Sequence, residues 1–282
     1  MSQSIAAWSD YWSDSAGAGC LSGAPPALLA ELASTWRSLA LTLAPGSSVL
    51  DVAAGDGAVI RAMRAVRPDL KLMGIDSAVV GPAAAAIGVR GGVHADSLPF
   101  ENGRFDAVLS QFGIEYCPAS AIAEAVRVAA PGATILLICH HADSVAVLHN
   151  ARRAAAMVAM VEAGLLSLAR RVALGGTDDA ATTAKIDRAC QAYRDQSIVG
   201  ELPLALGRAL AGRQAVAMVQ AISVRALAEI GRLQAMRAAA LNEAAAATVV
   251  AEFDRLGVHC TARAVLIERG SPMAWEIKGK RC

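Results

Sequence analysis

Apolar positions fall into two rhythms along this chain. Four short runs are almost continuously apolar: Ser48–Val52, Lys71–Asp76, Phe105–Ser110 and Ala133–Cys139. Runs of this length bounded by turn residues predict buried strands. Between them, residues 27–43, 57–67, 79–88 and 119–128 carry apolar residues at helical spacing. A brief strand is expected at Val93–Ala95. Pro45-Gly46, Pro68, Gly91-Gly92 and Pro131-Gly132 punctuate the alternation. Strands and helices taking turns over residues 48–140 predict a parallel sheet covered on both faces.

After His141 the rhythm changes. Residues 144–252 show only helical pattern, with breaks expected at Gly175–Asp179 and Ser197–Pro203. Two alternating segments follow, Val258–Glu268 and Ala274–Lys278, joined across Arg269–Pro272. They predict an antiparallel strand pair. The pattern therefore predicts an α/β fold. Its sheet has seven strands, is mostly parallel and ends antiparallel, and a helical insertion of roughly 110 residues precedes the last two strands.

Composition narrows the functional classes. Apolar residues make up 55% of the 282 positions and aromatics only 4%, which favours close packing through alanine. The net charge is +1, so no global field attracts nucleic acid or anionic lipid. Arg208, Arg213, Arg225, Glu229, Arg232, Arg237 and Glu243 interrupt the alanine-rich stretch 205–251, and no membrane span is expected. The six cysteines form no C-x-x-C pair and read as reduced thiols. The first residues have neither a basic nor an apolar run. A cytoplasmic protein is the expectation.

The chemistry starts at Val49–Ala58. Ala53, Gly55 and Gly57 are small residues at alternate positions between a strand and a helix, where small side chains let a ligand approach the backbone. Asp76, 19 residues after Gly57, closes the second strand, where a carboxylate can accept both hydroxyls of a ribose. The third small position falls too early for a dinucleotide turn. An adenosyl ligand without phosphate fits better, and a nicotinamide oxidoreductase fits poorly.

Four motifs in order resemble one family: Val49–Ala58, Gly74–Asp76, Ala95–Ser110 and Arg127–Leu136. They are those of the class I S-adenosylmethionine-dependent methyltransferases, whose core is Rossmann-like and doubly wound, and in particular the small-molecule branch that includes quinone-biosynthesis methyltransferases. The resemblance covers roughly residues 45–140. Ala53 stands where that family usually has its first glycine. The resemblance implies S-adenosylmethionine as cofactor; no metal is expected, because His94, His149 and His259 form no recognisable ligand set with acids or thiols. It implies that Gly55 and Gly57 approach the methionine part while Asp51 fixes the turn. Asp76 would hold the ribose, with Ile75 and Ser77 flanking ribose or adenine. Asp96 would accept from the adenine amino group beside Ser97, and Gln111 and Phe112 would face the sulfonium. Ser110-Gln-Phe-Gly113 lacks the Pro-Pro-aromatic segment common in enzymes that methylate adenine or amide nitrogens.

The acceptor side is less defined. Ligands of an open α/β sheet bind beyond the carboxyl ends of its strands, which makes Glu115, Tyr116, His140 and His141 the candidate catalytic groups. Strand alternation lets at most one of the two histidines face the acceptor. Trp8, Tyr11 and Trp12 stand at helical spacing; the resemblance implies a lid over the cofactor, and the spacing alone equally fits a surface helix packed on the core. Arg152 is a candidate for holding an acidic acceptor. Four regions follow: an N-terminal lid segment (1–44), the cofactor core (45–142), the helical insertion (143–245) as acceptor cap or homodimer interface, and the closing helix and strands (246–282). The expected activity is methyl transfer to a small, fairly apolar metabolite at oxygen, nitrogen or carbon. The alternatives are a peptide or protein acceptor, and a non-catalytic regulator that binds the cofactor.

Overall fold

The computed structural model of the chain describes Trp8, Ser9, Tyr11, residues 26–267 and residues 270–282. Trp12, one of the lid candidates, lies outside the described residues. The chain forms two compact units, one of residues 1–145 and 239–282, the other of residues 146–238.

The first unit is a seven-stranded sheet. Its elements run α1 (Pro26–Thr42), β1 (Ser48–Val52), α2 (Ala58–Arg64), β2 (Lys71–Ile75), α3 (Pro82–Ala86), β3 (Val89–Arg90), β4 (Phe105–Gln111), a 3-10 turn (Ile114–Tyr116), α4 (Ser120–Val128) and β5 (Ala129–His140). After the second unit come α10 (Glu243–Arg255), β6 (Val258–Leu266) and β7 (Pro272–Arg281). The strand order is β3-β2-β1-β4-β5-β7-β6. The first five strands pair in parallel, and β7 runs antiparallel to both β5 and β6. The order reverses between β2-β1 and β4, a switch point where a crevice opens beyond the strand ends.

Strand alternation explains the two-layered core. Leu50, Val52, Val108, Ile135 and Leu137 face one layer, with Ala121 and Ala125 of α4 and Phe253 of α10. Val49, Ala107, Leu109, Leu136 and Ile138 face the other, with Trp36 of α1 and Met63 of α2. Each central strand is buried on both faces, so its sequence reads as a continuous apolar run. Asp51 is the exception inside β1, and it is 1% exposed.

Three element boundaries differ from the sequence expectation. The short third strand is Val89–Arg90, before the Gly91-Gly92 pair, and not Val93–Ala95. It is set by its neighbour, since Gly74 and Ile75 of β2 supply its ladder. The helix expected over 79–88 is confined to Pro82–Ala86, with proline in its first turn. The break expected at Ser197–Pro203 falls at 193–197 instead, and residues 198–203 open a helix.

The second unit is helical: α5 (Val145–Glu162, its first residue in the first unit), α6 (Leu165–Ala173), α7 (Ala180–Ala192), α8 (Ile198–Leu210) and α9 (Ala215–Ala239, likewise ending in the first unit). Met157, Met160, Ile186, Ile198, Leu202, Leu206 and Ile230 build its core. Asp179 caps α7 by accepting from Thr182 N at 2.7 Å, which makes Gly175–Asp179 a real break. Pro203 lies inside α8. It cannot donate to Val199 O, and that carbonyl takes a weak bond from the Cys190 thiol at 3.8 Å. Burial of Ile198, Leu202 and Leu206 holds the helix through the proline. No helix among the described residues is long and apolar enough to cross a membrane.

Candidate active site

The turn after β1 is built from backbone that side chains rarely tolerate. Ala53, Gly55 and Gly57 have φ of 55°, 53° and 82°. Glycine takes this region freely, whereas Ala53 takes it at a cost. At Gly57 an added Cβ would lie 2.7 Å from Ile87 Cδ1. The segment after β4 comes equally close, since a Cβ on Gly113 would lie 2.6 Å from Ala53 Cβ. Ser110 joins the two turns. Its hydroxyl donates to Val52 O at 2.8 Å and accepts from Ile114 N at 3.0 Å. Sequence spacing assigns no structural role to Ser110 or Gly113. The signal available was a lone serine ending an apolar strand, two residues before a Phe-Gly pair.

Asp76 is buried, and each of its oxygens accepts a backbone N–H: Gly55 at 2.9 Å and Ala78 at 2.8 Å. It therefore ties the end of β2 to the glycine turn of β1. Burial raises its pKa, and these two bonds hold it back. Ser77 beside it is half-buried. Ile75 is fully buried in the core and lines no open wall. Asp51 stands differently. Both of its carboxylate oxygens are buried without a hydrogen-bond partner. Burial first, then the charges of Asp76 and Asp56, push its pKa well above the usual carboxylate range. Asp96 and Ser97 are exposed in the loop after β3. That loop is held by Arg127, which donates to Phe100 O, Leu98 O and Glu124. The thiol of Cys117 registers the acidity of the crevice. Burial, then Asp76, Glu115 and Asp96, push it up to about 12.

At the ends of β4 and β5 the candidates separate. Gln111 turns its Oε1 to Trp36 Nε1 at 2.5 Å. Phe112, at φ 53°, donates its N–H to Ile138 O at 2.7 Å and lays its ring 4.4 Å from the His140 ring. His140 and Glu115 form a buried pair, Nδ1 to Oε1 at 2.8 Å, with side chains 4% and 1% exposed. The same Oε1 accepts the backbone N–H of His140 at 2.9 Å. Tyr116 meets the His140 ring edge-on at 5.8 Å. His141 points elsewhere: it stacks on Trp275 at 4.9 Å, and its Nδ1 accepts from Asp143 N.

Trp8 packs edge-on against Tyr116 at 5.6 Å and against Tyr11 at 5.8 Å. Ser9 accepts from Val79 N at 3.0 Å, three residues after Asp76. The N-terminal segment thus touches the chain beyond both β2 and β4. Arg152, in the helical unit, forms a bidentate pair with Asp195 and lies over Tyr193. Its guanidinium is already engaged there. No group of three or more metal-ligating side chains gathers among the described residues.

Residues 50–137, from β1 to β5, match the family model described as a methyltransferase domain. No curated protein sequence matches the chain. Among solved structures, an S-adenosylmethionine-dependent methyltransferase from Aquifex aeolicus is 13% identical, with 92% of this chain and 99% of that one covered and a TM-score of 0.45. A Thermotoga maritima S-adenosylmethionine-dependent methyltransferase, described as a possible histamine N-methyltransferase, is also 13% identical, covering 90% and 92% at a TM-score of 0.46. A complex of the Haloferax volcanii Trm112 methyltransferase activator with a methyltransferase matches at 20% identity and TM-score 0.39. There the match spans 50% of this chain and 63% of that one, less than two thirds of its length. Residues 50–137, which hold the glycine turn and the acid at the end of β2, are thus similar to a methyltransferase domain.

Proposed function

We propose that the protein transfers a methyl group from S-adenosylmethionine to a small-molecule acceptor. The observation that carries the cofactor half is Asp51. A buried carboxylate without a partner is costly, and a cationic ligand relieves the cost. S-adenosylmethionine brings a sulfonium and an ammonium group, and when bound it supplies a methyl carbon open to in-line displacement. Asp51 would offer its charge from the floor of the turn. Gly55 and Gly57 would present backbone without side chains. Asp76 already orders the glycine turn and would share its oxygens with the ribose. Asp96 and Ser97, on the loop held by Arg127, would take the adenine edge.

The acceptor half rests on the carboxyl ends of β4 and β5, where Phe112, Tyr116 and Trp8 form an apolar, ring-lined surround. Such walls align a small apolar acceptor and exclude water, which are the protein's main tasks in methyl transfer. The near-neutral net charge supports a small molecule over nucleic acid. The test is incubation with methyl-labelled cofactor and a panel of small acceptors, read by mass spectrometry. A labelled product is expected. Cofactor binding without any labelled product across small molecules and peptides would favour a regulator.

A further inference from the structure

We propose that Glu115 and His140 form a general-base pair and that the acceptor is consequently a phenol, methylated on oxygen. The proposal rests on the methyltransferase reading above and deepens its acceptor half. The observation is His140 Nε2, a buried ring nitrogen without a hydrogen-bond partner. The other ring nitrogen is committed to Glu115 Oε1. That oxygen also accepts the backbone N–H of His140, and a Glu115 carboxylate in this place would accept from the ring as well, with the ring proton on Nδ1. The lone pair is left on Nε2. A carboxylate behind an imidazole fixes its tautomer and stabilises the cation that forms when Nε2 takes a proton.

A base of this kind serves only an acceptor that must lose a proton. Neutral amines and thioethers attack a methyl carbon without one. The surroundings name the class more closely: Phe112 lies against the imidazole, Tyr116 meets its edge, and Trp8 meets Tyr116. Rings in offset and edge-on contact suit a planar aromatic guest. The O–H proton would pass to Nε2, the phenol oxygen would bond the methyl carbon, and the carbon–sulfur bond would break to leave a neutral thioether. Nothing is oxidised or reduced.

The ionisable groups around the pair are few among the described residues. Glu115 is bonded to Nδ1, and the Tyr116 phenol lies at the ring's edge. The Cys139 thiol, beside Glu115, is pushed well up by burial and by that carboxylate. Cys117 is pushed up to about 12 by burial and by Asp76, Glu115 and Asp96. His141 turns to Trp275. Both thiols stay protonated near neutral pH, so the open lone pairs there belong to the pair itself, on His140 Nε2 and on Glu115 Oε2, which is also buried without a hydrogen-bond partner.

The test uses the full chain saturated with S-adenosylhomocysteine, with 4-nitrophenol as the probe. The homocysteine ligand has no sulfonium, so it cannot itself ionise the probe by charge. Its binding is first confirmed by calorimetry. At a pH where free nitrophenol is mostly protonated, the bound probe should absorb as the yellow phenolate. His140→Gln should abolish that absorption while binding of S-adenosylhomocysteine persists. Glu115→Gln, which keeps the shape of the pair, should weaken it and serves if His140→Gln does not fold. Binding of S-adenosylhomocysteine without a phenolate signal, or a signal unchanged in both variants, would overturn the proposal and leave the methyltransferase reading standing. Failure to bind S-adenosylhomocysteine at all would sink that reading instead.

Discussion

At the scale of single residues, the site is a set of buried acids whose partners differ. Asp76 has backbone N–H groups on both oxygens and Asp51 has none. Burial and the neighbouring acids raise the Asp51 pKa in the folded chain, so the folded state holds that proton more tightly than the unfolded state. The contribution of Asp51 to stability therefore falls as pH rises from the ordinary carboxylate range toward the raised value. Each pKa unit of the rise costs about 1.4 kcal/mol. Asp51→Asn should remove the cost. The free protein should melt higher at neutral pH and lose part of its pH slope, while its affinity for S-adenosylmethionine drops. A lower melting temperature at neutral pH in that variant would show that Asp51 is not an unpaired anion. The wild-type protein should also bind the cofactor more tightly as pH rises through the Asp51 titration, because a cationic ligand favours the ionised carboxylate. Calorimetry at several pH values reads that sign directly.

At the scale of elements, the site depends on how closely two turns approach. Gly113 leaves no room for a Cβ beside Ala53. Gly113→Ala should destabilise the protein by about 1–3 kcal/mol and shift the Ala53 turn. A denaturant midpoint equal to wild type would mean that the turns separate freely. In α8, Pro203→Ala would restore an N–H for Val199 O. It should raise stability by about 1–3 kcal/mol, read by thermal melting. The sequence made β1, β4 and β5 legible because strands buried on both faces cannot avoid continuous apolar runs. It misplaced β3 because two residues carry no period, and the strand exists only through its pairing with β2. It misread Pro203 as a stop because the burial of Ile198, Leu202 and Leu206 is a tertiary fact. The tight turn after β1 was legible from its small residues. The Glu115–His140 pair was not, though both residues stood among the candidates. Their contact comes from the parallel register that sets Gln111 beside Ile138, and no local spacing encodes it.

At the scale of the whole molecule, the helical unit leaves and re-enters the sheet unit at neighbouring points. Leu241 N donates to His140 O, and Ala142 N donates to Leu241 O, each at 2.8 Å. The sheet unit has its own core on both faces, and the helical unit has a separate one. Replacing residues 146–238 by a short glycine-serine linker should thus leave a folded sheet unit that still binds S-adenosylhomocysteine. Loss of that binding, with the fold kept, would place part of the cofactor site in the helical unit.

Calorimetric titration of the full chain with S-adenosylmethionine, alongside NADH and the Asp76→Ala variant, tests the central claim most directly. The expected result is saturable binding of the adenosyl ligand and none of NADH. Asp76→Ala should weaken that binding by about 1.5–3 kcal/mol through loss of a charge-assisted acceptor and of the bond that orders Gly55. No heat with S-adenosylmethionine, or equal affinity for NADH, would contradict it.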